Sequence, residues 1–175
     1  GKSTQLQRCA AWLKERGYPV SVQREPSNSP YGEILRKSAC SDRLPPEEEA
    51  EFFLRDRRLN VEQNLLPNLE TGKVVLLDRY YFSTIAYQGA RGLDTGELRR
   101  RNEAFAPKPD RVLLFDLDPE TALQRIRRQR GETPDLFERV DSLRKVREIF
   151  LSLSDPFIVR IDAAPEPDEV WRQVK

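Results

Sequence analysis

The chain opens with Gly1-Lys2-Ser3-Thr4, and no other stretch limits its fold as tightly. These residues match the second half of G-x-x-x-x-G-K-[ST], a phosphate-binding loop, with Gly1 as the last glycine. Such a loop joins a β-strand to a helix. Its backbone N–H groups surround a polyphosphate, and the helix N-terminus adds a favourable dipole. In that setting Lys2 reaches the β- and γ-phosphates, and the Ser3 hydroxyl is a ligand for Mg²⁺. The strand and the first glycine of the motif do not precede Gly1, and the 175 residues include no methionine. The expectation is a natural protein longer at its N-terminus by roughly 10–15 residues, the length of a strand plus a loop.

A half-motif of this kind requires an α/β frame downstream, and the chain supplies one. Val20-Ser21-Val22 reads as a short strand running into Gln23-Arg24-Glu25-Pro26. Pro26 disfavours helix at Glu25, so Arg24 and Glu25 fall at the strand's carboxyl end, the edge where open α/β sheets bind ligands. Val74 to Leu77 is a continuous apolar run of the kind a buried parallel strand carries, and it ends in Asp78-Arg79. A carboxylate directly after such a strand is the usual place for an acid that organises Mg²⁺. Val112 to Leu117 and Phe157 to Ile161 read as two further strands.

Helical signals alternate with these strands. Residues 4–16 place Leu6, Cys9, Ala10 and Leu13 on one face, and Gly17 stops the helix. A short helix begins at Gly32. A long one runs from about Glu47 to Leu69, with Phe52, Leu59, Leu65, Leu66 and Leu69 as its apolar face and Phe53, Arg57 and Asn60 on a neighbouring stripe. A helix from Ser83 carries Ser83, Thr84, Tyr87 and Gln88 and breaks at Gly89. Residues 91–101 are polar and basic and read as a solvated excursion. Asp118-Pro119 caps another helix, residues 135–153 are amphipathic, and a closing helix starts near Asp168. The alternation predicts a single domain over residues 1–175 with a three-layer fold of the P-loop NTPase type: a parallel sheet covered by helices on both faces.

Composition narrows the chemistry. With no histidine, Ser-His and Cys-His catalysis and histidine-ligated metals are excluded. A net charge of +1 gives no bulk attraction to nucleic acid. No apolar run approaches the length of a membrane span. Cys9 and Cys40 fit no metal spacing, and a reducing cytoplasm is the expected location.

Together these residues resemble thymidylate kinase, a family of phosphate-loop nucleoside-monophosphate kinases, along essentially the whole chain. The similarity rests on Gly1-Lys2-Ser3-Thr4-Gln5, on Arg24-Glu25-Pro26, on Phe53 and Arg57 at F-x-x-x-R spacing, and on Asp162-Ala163. It rests most specifically on Asp78-Arg79-Tyr80 continuing through Phe82-Ser83-Thr84 and Ala86-Tyr87-Gln88-Gly89.

The resemblance implies transfer of the ATP γ-phosphoryl group to dTMP with Mg²⁺, in a cytoplasmic homodimer. It implies that Gly1, Lys2, Ser3 and Thr4 hold the ATP phosphates, that Ser3 and Asp78 serve the metal, and that Arg125, Asp162 and Ala163 border the ATP. Arg24 and Arg79 would hold the acceptor phosphate, Phe53 would stack on thymine, and Arg57 and Ser83 would bond its edge. Tyr87 would crowd the sugar 2′ position, with Thr84 and Gln88 beside the substrate. Lys2, Arg79, Arg128 and Arg130 are the implied catalytic cations.

Two departures from the family pattern stand out. The G-G-T expected after R-E-P is Ser27-Asn28-Ser29, and the lid motif D-R-F-E reads Asp135-Leu136-Phe137-Glu138, with leucine in place of the usual catalytic arginine. Arg128, Arg130 or Arg139 takes over that role, a residue ahead of Gly1 supplies it, or transfer is slow. The alternatives to a dTMP kinase are a kinase for another deoxynucleoside monophosphate and a nucleotide-binding relative with impaired catalysis.

Overall fold

Local signals set several of the helix ends. The computed structural model describes residues 1–40, 43–130 and 136–175; the side chains of 126–130 and 136–139 lie outside that description. Helix α1 (Lys2–Lys14) ends as the glycine predicts: Gly17 has φ +83°, its N–H reaches the Lys14 carbonyl, and the Tyr18 N–H reaches Leu13. This paired closure satisfies carbonyls that the last turn leaves without partners. The helix begins two residues earlier than expected, so Lys2, Ser3 and Thr4 form its first turn.

The chain divides into two compact units, one of Gly1–Gln5 with Pro109–Lys175 and one of Leu6–Lys108. In the second, strands β1 (Val20–Arg24) and β2 (Val74–Asp78) pair in parallel, with Arg24 level with Asp78. In the first, β3 (Val112–Asp116) and β4 (Ile158–Asp162) pair in parallel, with Asp116 level with Asp162. The strands are thus parallel, as expected, and join two and two. Among the described residues each has one bonded neighbour, and apolar positions expected to be covered are partly open: Val22 is 40% and Val159 41% exposed.

Around β1 and β2 lie α2 (Pro30–Ser38) and α3 (Pro46–Asn60), then a π-helical turn (Val61–Leu65) leading into α4 (Leu66–Glu70). The long helix is therefore continuous but widened once. Pro67 lacks an N–H and its ring would strike the carbonyl four residues back; the preceding turn opens so that Leu66 N–H bonds Val61 instead. The extra residue rotates the helix beyond it. Leu66 and Leu69, expected inside, are 38% and 41% exposed, while Leu54, Val61 and Leu65 are buried. The apolar face read from the sequence is corrected accordingly.

Helix α5 (Tyr81–Gly89) starts two residues before its predicted onset. The stretch expected to be a solvated excursion instead forms α6 (Thr95–Glu103). Asp94 caps it by accepting from the Glu97 N–H at 2.7 Å, and Leu98 and Asn102 are buried. Arg100 pairs with Glu97 on the exposed side, whereas Arg101 is half-buried and bonds Glu51 of α3 at 2.6 Å. In the other unit, α7 (Pro119–Arg130), α8 (Leu136–Ser152) and α9 (Pro167–Val174) accompany β3 and β4. The predicted Asp118 cap is present, accepting from Thr121 N–H at 2.8 Å.

Candidate active site

In the unit of Leu6–Lys108, α3 carries Phe53 and Arg57 one turn apart, as the spacing requires. The Phe53 ring is half-buried, with no aromatic or cationic partner among the described residues. Arg57 is 1% exposed and its partners are all distant in sequence. Its Nε and Nη2 donate to Glu25 Oε2 at 2.9 and 2.6 Å. Nη2 also donates to Thr84 Oγ1 at 3.1 Å and Nη1 to Asn102 Oδ1 at 2.5 Å. Burial pushes the Glu25 carboxyl above its ordinary range even against the Arg57 charge. The Tyr80 ring lies 5.5 Å from the guanidinium carbon, and burial, then the Glu25 charge, push its phenol upward.

The segment after Arg24 is fastened to the neighbouring residue of the same helix. Asp56, 1% exposed, accepts from Ser27 N–H (2.9 Å), Ser27 Oγ (2.6 Å) and Ser29 Oγ (2.6 Å). Ser29 in turn caps α2 by accepting from Gly32 N–H at 3.0 Å. The Ser-Asn-Ser that departs from the family pattern therefore supplies the hydroxyls that satisfy a buried carboxylate. Consecutive residues of α3 grip the chain on either side of Pro26, Arg57 through Glu25 and Asp56 through Ser27.

Helix α5 sorts the predicted substrate residues. Ser83 and Tyr87, at i and i+4, are half-buried on one face, whereas Thr84 and Gln88 are turned inward at 2% and 0% exposure. Gln88 donates to Glu49 Oε2 at 2.5 Å rather than lining an open face. Glu49 also holds Arg43 and Arg91. Burial works to raise its carboxyl, but the bonds from Arg43 and Gln88 and the arginine charges hold it below the ordinary range. Arg79, directly after β2, has φ +71° and lies 5.3 Å from the Tyr87 ring. A non-glycine residue in that region carries strain of roughly 1–3 kcal/mol, a feature that collects at functional sites. Arg24 is exposed and Asp78 half-buried at the level carboxyl ends of β1 and β2.

In the unit of Gly1–Gln5 with Pro109–Lys175, a second group of predicted residues assembles. Lys2, Ser3 and Thr4 are exposed in the first turn of α1. Gln5, 2% exposed, ties that turn to the start of α9 by donating to the Pro167 carbonyl at 2.8 Å. Arg125, on α7, donates to the carbonyls of Ala163 (2.9 Å) and Ala164 (2.5 Å), just after β4. Asp162 accepts from Ala164 N–H at 2.9 Å. Arg125, Asp162 and Ala163 are thus brought together. The lid candidates Arg128, Arg130 and Arg139, with Leu136, lie outside the described side chains.

Sequence reading missed Asn102 and the roles of Asp56 and Glu49. One signal was available: neither Asp56 nor Arg57 has an opposite charge three or four residues away, where a solvated helix pairs its charges. Arg55 has one in Glu51, bonded at 3.2 Å on the surface.

A family model described as Thymidylate kinase matches residues 1–174. The chain is 46% identical over 175 residues to a "Probable thymidylate kinase" of Archaeoglobus fulgidus, covering 100% of this chain and 87% of that protein. It is 47% identical over 173 residues to a "Thymidylate kinase" of Xanthomonas euvesicatoria pv. vesicatoria, covering 99% and 76%. A "Thymidylate kinase" of Xanthomonas campestris pv. campestris matches at 45% over 173 residues, covering 99% and 75%. A chain matched by that family model over residues 1–174, and by relatives 45–47% identical over nearly its whole length, belongs to the thymidylate kinase family of nucleoside-monophosphate kinases.

Proposed function

We propose that the chain phosphorylates dTMP with ATP. An oxygen of the dTMP phosphate attacks the γ-phosphorus, the bond from that phosphorus to the β–γ bridging oxygen breaks, and dTDP and ADP result. The acceptor oxygen is already anionic near neutral pH, so no general base is required, and the absence of histidine is no obstacle. What the protein supplies is position and positive charge.

The observation that carries this reading is the acceptor face of Leu6–Lys108. It combines a half-buried Phe53 ring with no aromatic or cationic partner among the described residues, the fixed Arg57 one turn further along α3, the half-buried Ser83 and Tyr87 of α5, and Arg79, which directly follows β2 and lies 5.3 Å from the Tyr87 ring. In this reading Phe53 stacks on thymine while Arg57 and Ser83 bond its edge. Tyr87 excludes a 2′-hydroxyl, and Arg24 and Arg79 hold the phosphate. Arginine suits that task because its planar fork binds phosphate bidentately. In the other unit, the first turn of α1 offers backbone N–H groups and Lys2 to the ATP phosphates, and the turn at Asp162-Ala163 beneath Arg125 borders the nucleotide. Arg128 and Arg130 remain the lid candidates for the transition-state cation.

A Mg²⁺ ion fits the donor chemistry. By chemistry alone the Ser3 hydroxyl in one unit and the Asp78 carboxylate in the other would each suit Mg²⁺ as a ligand, and no cluster of three or more acidic or thiol ligands occurs among the described residues. Mg²⁺ in phosphoryl-transfer enzymes uses one or two protein oxygens with the substrate phosphates and water, so it needs no larger cluster. When bound, the ion supplies charge neutralisation on the β- and γ-phosphates.

A homodimer in the cytoplasm, acting on small molecules without nucleic acid or membrane, completes the proposal. The net charge of +1 gives no bulk attraction to nucleic acid, and among the described residues no helix is long and apolar enough to cross a membrane. The test is a coupled assay of ADP release with ATP and Mg²⁺ and, in turn, dTMP, dUMP, dCMP and dGMP. Release should be fastest with dTMP. ADP with none of them, or preferential release with another acceptor, overturns the reading.

A further inference from the structure

Arg57 has five N–H donors in a rigid fork. Four are engaged: one on Nε and one on Nη2 to Glu25, the second Nη2 hydrogen to Thr84, and one on Nη1 to Asn102. The remaining Nη1 hydrogen has no acceptor among the described residues. The acceptors are themselves constrained. Asn102 donates its amide to the Leu98 carbonyl at 2.7 Å, which leaves its oxygen for Arg57. Glu25 comes directly after β1 and its own N–H is bonded to the Asp78 carbonyl, so its backbone is tied to the strand pair. Side chains of helical residues lean towards the helix N-terminus, which carries the guanidinium towards the turn that bears Phe53.

We propose that Glu25 is a positioning residue for recognition of the acceptor base: with Asn102 it holds Arg57 closed on protein acceptors so that one N–H alone is left for a base carbonyl beside Phe53. This rests on the reading of Arg57 as a base contact. A guanidinium fixed in this way loses little rotamer entropy when the base arrives. It also offers a single donor, which suits a carbonyl and opposes an amino group at the same edge. Removing the Glu25 charge leaves the buried cation free to swing towards other acceptors.

The test uses the intact chain and two variants, Glu25→Gln and Asn102→Ser. The readouts are KM for dTMP, KM for ATP, and the inhibition constant of 2-deoxyribose 5-phosphate, which keeps the sugar and phosphate but has no base. Both variants should raise KM for dTMP by roughly tenfold, the loss expected of one well-placed bond, and leave the other two constants within about twofold. A folded Glu25→Gln enzyme with unchanged KM for dTMP overturns the proposal. So does a parallel rise in the inhibition constant of the baseless competitor, which marks general loosening of the site. Should Glu25→Gln fail to fold, the Asn102→Ser result decides on the same criteria. Arg57→Gln separates the two levels. Unchanged KM for dTMP there means Arg57 meets no base; a raised KM there with unaffected Glu25→Gln and Asn102→Ser means Arg57 meets the base without their help.

Discussion

Gly32 is the position where a single methyl group should do the most harm for its size. A Cβ built there lies 2.0 Å from the Ser27 carbonyl oxygen, 2.9 Å from Asp56 Oδ1 and 3.0 Å from the Ser27 carbonyl carbon. Ordinary C···O approach is about 3.3–3.6 Å, so helix α2 and the Ser27 backbone must separate by more than about an ångström. That motion pulls on the Gly32–Ser29 cap, on the Arg36 bond to the Ser27 carbonyl (2.6 Å) and on the three bonds that satisfy Asp56.

Helix propensity argues the other way, since Ala is favoured over Gly by about 1 kcal/mol in a helix. Against it stand overpacking at about 1–3 kcal/mol, a weakened cap at about 1 kcal/mol and loss of bonds to a buried carboxylate at about 1.5–3 kcal/mol each. With partial relaxation, Gly32→Ala should destabilise by about 2–5 kcal/mol. For a chain of this size that is a fall in Tm of about 4–20 °C, read by circular dichroism, with a matching shift in urea midpoint. Gly96→Ala is the control. Its Cβ would be 3.2 Å from the carboxylate of Asp94, a side-chain atom that can yield, and its Tm should move little. A Gly32→Ala chain as stable as its parent would refute the claim that this close approach locks the Ser27–Ser29 segment.

The same geometry gives two further expected outcomes. Phe53→Ala should raise KM for dTMP roughly tenfold to a hundredfold while KM for ATP stays put, because base–aromatic stacking is worth about 1–3 kcal/mol; steady-state kinetics at saturating partner substrate decides it. Asp116 is held below its ordinary range by the Arg147 bonds at 2.7 and 3.0 Å and the Arg147 and Arg160 charges, with burial opposing. A depressed carboxyl adds stability that is present above its unfolded pKa of about 3.9 and disappears as pH falls through the folded value. Urea midpoints taken from pH 7 downward should therefore drop more steeply below about pH 4 in the parent than in Asp116→Asn; equal slopes would remove Asp116 from the account.

What the sequence determined by itself are the features whose causes lie within a few residues. Gly17 closes α1 because it alone accepts φ +83° there without strain, and Asp118 caps α7 because its oxygen reaches an N–H three residues on. The strand ends at Arg24 and Asp78 were legible because apolar runs stop there, and Phe53 with Arg57 because a helix turn separates them. Tertiary structure decided whether those side chains are solvated or fixed. Arg57 is as plausible on a surface as in a core until Glu25, 32 positions away, and Asn102, 45 away, supply acceptors; a buried cation is tolerated only with such partners. The same holds for Asp56 with Ser27 and Ser29, and for Gln88, whose inward turn is set by Glu49 across the fold. The inner face of α3 escaped an apolar-periodicity reading because half of it is charge, and its later phase because Pro67 opens a π turn. Local chemistry fixes where the chain bends and starts its helices, whereas long-range neutralisation of buried charge fixes which of its polar residues can meet a nucleotide.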